Sequence, residues 1–571
     1  MIVQPKRDRI QFSVDTVCFV IVGLLLTACG SDERSPEVTG VAAVAPAPFV
    51  EVAQTRGLIF THHSGHRGQY FNPEITAGGV ALLDMDNDGD LDVYLVQSGR
   101  IVEPAREPAG NQLFRNRGDG SFENITDNSG AEDRGYGMGV ATGDYDNDGD
   151  VDLYVTNVGR NTLLRNEGNG RFVDVTDEAG VGGDLWSSSA AFLDYDADGD
   201  LDLFVCNYIH WSVAGERQCT DAAGAPDYCG PHEYLAPTKD TLYRNNADGT
   251  FTDVTNELGI SMAVGNGLGV AVGDYNNDGR LDIFVANDGV EDVLWINGAD
   301  GRFVNQALTM GCARDEAGQA KGSMGIGSAD IDDDGDLDLL IVNLRGETDS
   351  LFLNEGSYFA DITGAAGLGR LSRRFTRFGA GFFDYDNDGK LDIYQANGSV
   401  LRLAQPYAAD PYAEPNVLMR GVGSGKFAEV LPRGGTVPML AHNSRGAAFG
   451  DLDNDGGIDI VVVNRDGPVY FLANQARDQG HWIMFRVLDE HGRDALGAVV
   501  TGVVNGRTMR RDVQTAYSYC SANDPRVHFG LGDAHIIQNI TVRWVDGSTS
   551  SFGDFDAGHI ATLRRSEGAA Q

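Results

Sequence analysis

Basic side chains are in short supply: 43 lysines and arginines stand against 84 aspartates and glutamates, a net charge of −41 over 571 residues. That balance argues against a nucleic-acid partner, because holding phosphates needs clustered Lys and Arg. No apolar run beyond residue 28 reads as a membrane span. G-x-S-x-G, H-E-x-x-H and the P-loop are all missing, so the common motifs for acyl transfer, zinc proteolysis and phosphoryl transfer give no enzyme class. Proline is modest at 17, glycine abundant at 75, and hydrophobic residues make up 42%. Such a composition belongs to a folded chain and not to an acidic disordered tail.

Residues 1–28 read as an export signal. Lys6, Arg7 and Arg9 form a basic start, and an apolar run from Thr16 to Ala28 follows, too short to span a bilayer comfortably. Its end, Leu26-Thr27-Ala28-Cys29, resembles the bacterial lipobox, which implies lipidation of Cys29 as the new N-terminus. Gly30 follows where an Asp would signal retention, and by resemblance to enterobacterial sorting this favours the outer membrane, at its periplasmic face or at the cell surface. Residues 29–47, polar with Pro and Ala, read as a tether. Several acyl chains would make the anchor stable where one alone is marginal.

The acids are not spread evenly. A window D-x-[DN]-x-D-G-x-x-D occurs seven times, with starts 60, 50, 80, 56, 54 and 67 residues apart. Position 1 is Asp84, Asp144, Asp194, Asp274, Asp330, Asp384 and Asp451. Position 3 is Asp86, Asp146, Asp196, Asn276, Asp332, Asp386 and Asp453. Position 5 is Asp88, Asp148, Asp198, Asp278, Asp334, Asp388 and Asp455. Position 7 is Asp90, Asp150, Asp200, Arg280, Asp336, Lys390 and Gly457. Position 9 is Asp92, Asp152, Asp202, Asp282, Asp338, Asp392 and Asp459. The windows hold 32 of the 84 acids, and the remaining 52 exceed the bases by only 9. Like charges this dense call for a counterion. Calcium takes six to eight hard oxygens; positions 1, 3, 5 and 9 supply side chains, position 7 a backbone carbonyl, and the glycine at position 6 a sharp turn. Up to one Ca2+ per loop is expected, more weakly at the fourth, where Asn276 and Arg280 depart from the pattern. These are not EF-hands: position 12 is Leu95 or Val155 where a glutamate is needed, and β-prone alternation follows in place of a helix.

Each loop is entered by a small-residue strand, such as "GMGVATGD" or "SRGAAFGD", and left by a second, such as "VDLYVTN". A third ("NTLLRNEG") and a fourth ("RFVDVTDEAG") complete the unit. Four strands in each of seven units predict an all-β, seven-bladed propeller over residues 48–476. The seventh unit lacks a fourth strand, and Phe49–Leu58 resembles one without a unit, so the N-terminal strand is expected to close the ring against Val469–Leu472. Residues 480–565 are β-rich and predict a second, small β-sandwich-like domain.

The units resemble the FG-GAP repeats of integrin α-chains, as in Phe378-Gly379-Ala380-Gly381 before a loop, and the wider pattern is similar to bacterial relatives of the cartilage acidic protein family. "GRDALGAVVTG", "DPRVHFGLG" and "ITVRWVDG" resemble the ASPIC/UnbV domain, with Val545 where a proline is usual and Cys520 where a small polar residue is usual. The resemblance implies an extracytoplasmic calcium-binding propeller and no settled activity. The expected role is a lipid-anchored module of the cell envelope binding a glycan or protein ligand, with the insertion at residues 208–238 and the axial mouth as its surface. The alternatives are an enzyme acting on polysaccharide or a secondary metabolite, and a structural platform. Cys219 and Cys229, inside the insertion, are expected to form a disulfide, leaving Cys206, Cys312 and Cys520 as buried thiols. Arg117-Gly118-Asp119 reads as a turn and not as an adhesion motif. His62, His63, His66, His210 and His232 read as loop and surface histidines.

Overall fold

The computed structural model describes residues 46–76, 78–102, 110–476 and 480–570; the signal, Cys29 and almost all of the tether lie outside them. Residues 47–571 form one compact unit, and among the described residues no helix is long and apolar enough to cross a membrane.

Seven four-stranded antiparallel sheets carry the seven loops. Their first strands are Val80–Leu83, Gly137–Gly143, Ser187–Leu193, Gly267–Gly273, Ile326–Ala329, Arg377–Phe383 and Ser444–Gly450, and nearly every residue in them is buried. Small residues are required because these strands crowd one another about an axis. A Cβ on Gly139 would lie 2.6 Å from Ser188 O of the next strand. The ring closes where Gly446 N–H of the seventh donates to Gly78 O, which leads into the first, at 2.9 Å. The predicted closure by the N-terminus is observed: Phe49, Val50 and Glu51 pair with Asn474, Ala473 and Leu472, adding the fourth strand to the seventh blade. Closure ties the two ends of the ring together and leaves only the short outer strand of each blade as an edge.

The C-terminal region folds as a three-stranded sheet centred on His481–Leu488 and a five-stranded sheet, Val499–Val504 and Ile536–Arg543 at its heart. Ile483, Phe485, Val500, Phe529, Ile540, Val542 and Trp544 are buried in a common core. This domain does not stand apart. Between Arg507–Asp512 and Val527–Gly532 its chain runs up the propeller axis. Ser518 exchanges two backbone hydrogen bonds with Ile326, at 2.7 and 3.0 Å. Ala522 bonds Val80 O and Leu82 N–H, and Cys520 O accepts from Val140 N–H. Ser518 Oγ donates to Ala447 O and accepts from Ala380 N–H, while Ser189 Oγ accepts from Cys520 N–H. Six of the seven inner strands therefore hydrogen-bond one plug. The plug also satisfies the peptide groups that a narrow, water-poor channel would leave unpaired.

Candidate metal centres and the propeller mouth

Every loop folds alike. The residue at position 4 takes a left-handed conformation (φ 56° at Asn87, 61° at Asn147), and the glycine at position 6 follows at about 90°. The first carboxylate is held by the turn itself: Asp144 accepts from Asp148 N–H at 3.2 Å and Gly149 N–H at 2.9 Å. The ninth is held by the strands: Asp152 accepts from Tyr145 N–H and Asn166 N–H. The third is left over. Oδ1 of Asp86, Asp146, Asp332, Asp386 and Asp453 is buried with no hydrogen-bond partner. Carboxylates of positions 1, 3 and 9 converge within 4.8 Å in the loops starting at Asp84, Asp144, Asp194, Asp330 and Asp384. The position-5 carboxylate serves the turn, as where Asp148 Oδ1 accepts from Asp150 N–H.

Burial first, and neighbouring carboxylates with it, push the position-9 acids far up: Asp92, Asp282 and Asp338 to about 8, Asp202 to about 9. Burial likewise lifts Asp144, Asp194 and Asp330 to about 6. Such groups resist ionising together unless a cation compensates them. Oxygen-only donors with an orphaned buried oxygen at the centre fit a hard divalent ion, so these clusters of buried aspartates can bind metal. The fourth loop differs as its sequence suggests, with Arg280 paired to Asp278 and donating to Asn297 O.

Arginines of the C-terminal domain cover the loop face. Arg486 pairs with Asp84 at 2.9 Å and Arg543 with Asp274 at 3.1 Å. Arg493 donates to Gly199 O and Arg526 to Asp451 O. Two links between blades had gone unread. Asn at position 4 reaches position 7 of the next loop, as from Asn87 to Asp150 and Asn147 to Asp200. The Asn ending the third strand reaches a carbonyl of the preceding loop, as from Asn166 to Met85 O. Their signal was present in the recurrent "DND" and "RN" of the units.

At the opposite face the insertion folds back over the mouth. The Cys219–Cys229 disulfide is formed, with Cα atoms 5.3 Å apart, and Cys206, Cys312 and Cys520 are buried thiols. From the third blade the insertion reaches across the ring. Tyr228 OH meets His66 Nδ1 (3.0 Å), Glu74 (3.2 Å) and Arg465 Nη1 (3.1 Å). Asp227 accepts from Tyr412 OH and Arg402 N–H. Directly beneath, Tyr519 OH of the plug donates to Thr76 O. The axial mouth expected as a ligand surface is thus closed from both sides, and the inner face of the insertion is spent on the closure. His210, His232 and His63 are exposed as expected. His62 is not a surface histidine: it is fully buried against Ser98 Oγ at 2.9 Å, and burial drives it down to about 4. Arg117-Gly118-Asp119 forms the turn that the repeat pattern implied, Gly118 having φ 80°.

The FG-GAP-like repeat model matches residues 84–155, 144–205, 224–285, 274–341 and 330–394. The chain belongs to the FG-GAP repeat family. The ASPIC and UnbV model matches residues 489–570 of this FG-GAP protein. It is similar to cartilage acidic protein 1 of Xenopus tropicalis, 26% identical over 505 residues that cover 83% of this chain and 71% of the relative. Its likeness to the Homo sapiens protein of that name is 28% over 312 residues, 52% of this chain and 44% of the relative. Among solved structures, the BP39L lectin from Burkholderia pseudomallei aligns at TM-score 0.42 and 10% identity, covering 72% of this chain and 98% of the lectin; an overlap this slight transfers no ligand. The repeat at Asp451 lies beyond the matched segments yet carries the same loop and sheet.

Proposed function

We propose that this FG-GAP protein is a lipid-anchored, calcium-binding propeller of the cell envelope that presents a ligand-binding or adhesion surface to a glycan or protein. Calcium occupies the loops through the carboxylates of positions 1, 3 and 9, joined by position 5 and the position-7 carbonyl. The orphaned position-3 oxygens carry this reading, since among the described residues they have no hydrogen-bond partner. Export and the anchor rest on Leu26-Thr27-Ala28-Cys29; the outer membrane is the proposed location.

One observation favours an enzyme instead: His66, Glu74, Tyr228 and Arg465 converge at the mouth. Against it, Glu74, Tyr228 and Arg465 are buried, Tyr228 bridging Glu74 and Arg465 while Arg465 also pairs with Asp410 and Asp466, as a latch does. Incubating the mature chain with envelope polysaccharide, in calcium and in chelator, separates the readings. Calcium-dependent co-sedimentation with unchanged polymer size is the expected result; shortened polymer would replace the binding module by an enzyme.

A further inference from the structure

The blades are not joined equally. At six junctions the Asn ending a third strand donates to the preceding loop: Asn116 to Leu452 O, Asn166 to Met85 O, Asn245 to Tyr145 O, Asn297 to Tyr195 O, Asn354 to Tyr275 O and Asn474 to Tyr385 O, at 2.7–2.9 Å. In the sixth blade that place is Gly421. Its N–H donates to Asp392 as its counterparts do, but it has no side chain to reach Ile331 O, and a Cβ there would run into Leu391 O. The second link fails at the same junction. Four loops reach position 7 of the next through an Asn, from Asn87, Asn147, Asn277 and Asn454; the third sets Ala197 against Arg280, and the fifth sets Asp333 against Lys390 of the sixth. They do not join: Asp333 turns to Arg507 at 3.1 Å and Lys390 to Asp388 at 2.7 Å.

A cleft of about 230 Å³ opens there, roofed by Arg507 and Arg511 of the C-terminal domain. Lys426 and Arg511 line it together with Asp330, Asp332 and Asp333 of the fifth loop; Asp330 and Asp333 lie near enough to Arg511 to favour its charge, while no ion pair within 4.0 Å holds Lys426 or Arg511 among the described residues. Arg511 spends Nε and Nη1 on the carbonyls of His528 and Arg510. Apolar side chains of Ile331, Leu391 and Phe427 complete the wall, beside the bare backbone of Gly423 and Gly425. We propose that this cleft binds a single uronic-acid residue of an acidic saccharide. The carboxylate meets Lys426 and Arg511. Ring hydroxyls donate to Asp333 and to backbone carbonyls of the hairpin, and the C–H face of the ring lies on Ile331 and Phe427. The inference deepens the glycan reading above and rests on it.

The test is saturation-transfer NMR on the full mature chain in calcium, with glucuronate, glucose and inorganic sulfate as probes. Glucuronate is expected to bind and glucose not. Lys426→Glu, at an exposed side chain, should weaken glucuronate about tenfold, the worth of one charge-assisted contact, while Lys426→Arg retains binding. Arg511→Gln should also weaken glucuronate, but it frees the carbonyls of His528 and Arg510 and should lower the melting temperature, so Lys426→Glu is the deciding variant. Equal binding of glucose, full displacement by equimolar sulfate, no glucuronate signal, or an indifferent Lys426→Glu each overturns the proposal. Polysaccharide retained by the wild type and equally by Lys426→Glu would remove the cleft while leaving the glycan reading standing; loss of all polysaccharide binding would remove both.

Discussion

A buried carboxylate oxygen with no hydrogen-bond partner among the described residues carries the metal reading at the level of single residues. Asp146→Ala deletes such a group in the second loop, and bound calcium, counted by equilibrium dialysis, should fall by about one equivalent per chain. Restoring an acid-rich fourth loop with Arg280→Asp frees Asp278 and should tighten calcium there. His62 gives a signature in acid. Its imidazole is held near 4, and the groups around it are Asp466, which favours the proton, and Arg465, His63 and Arg445, which oppose it. Because the folded pKa lies below the unfolded one, the unfolded chain takes the proton first. The contribution is intact above about 6.5 and is lost as pH falls towards 4, by up to roughly 3 kcal/mol. Chemical denaturation of His62→Gln should therefore show a shallower loss of stability across that window, and an unchanged slope would mean that another group sets it. The recurring acidic loop was legible in the sequence because its pattern is local and repeats seven times; that positions 1, 3 and 9 converge emerges only from the fold. His62 was not legible, because its burial depends on Ser98 and Asp466, 36 and 404 positions away.

Among elements, the blades could be read and the plug could not. A blade declares itself through short alternating strands at recurring offsets from an aspartate loop. The plug, "TAYSYCSANDP", has no period, and its partners are scattered from Thr76 to Ala447. Its composition makes sense only afterwards: Ser518, Cys520 and Ala522 are small because seven strands crowd them, and their polar atoms replace neighbours that a continuous sheet would have had. Cys520, unusual against the ASPIC/UnbV pattern, is one such axial contact. Tyr519→Phe leaves Thr76 O without its donor and should cost about 1–3 kcal/mol in denaturant unfolding. The insertion depends on a different tie. Replacing both Cys219 and Cys229 by Ser frees a loop of separation 10, a change of roughly 3 kcal/mol by loop closure. Hydrogen exchange should then rise across residues 208–238 while the blades keep their protection. A uniform rise would mean instead that the insertion braces the whole ring.

For the whole molecule, seven charged loops face one domain rich in arginine, so calcium in the loops, as proposed, would be coupled to the docking of that domain. Removing calcium leaves crowded carboxylates beside Arg486 and Arg543, and the melting temperature should rise with the logarithm of free calcium because the ions bind only the folded state. A melt indifferent to excess chelator would dismiss structural calcium. The order of the chain adds a further consequence. Phe49–Glu51 is made first yet waits for Tyr470–Asn474 before it has a partner, and the plug, whose contacts touch nearly every blade, is made later still. The ring is thus a clasp fastened by its own two ends and then pinned through the middle. Opening the clasp frees one outer strand, whereas drawing the pin breaks bonds to six inner strands, so full unravelling is expected to wait on the pin. Persistence in a protease-rich setting would then be governed by how often the pin slips, a rate, and only indirectly by how deep the folded well is.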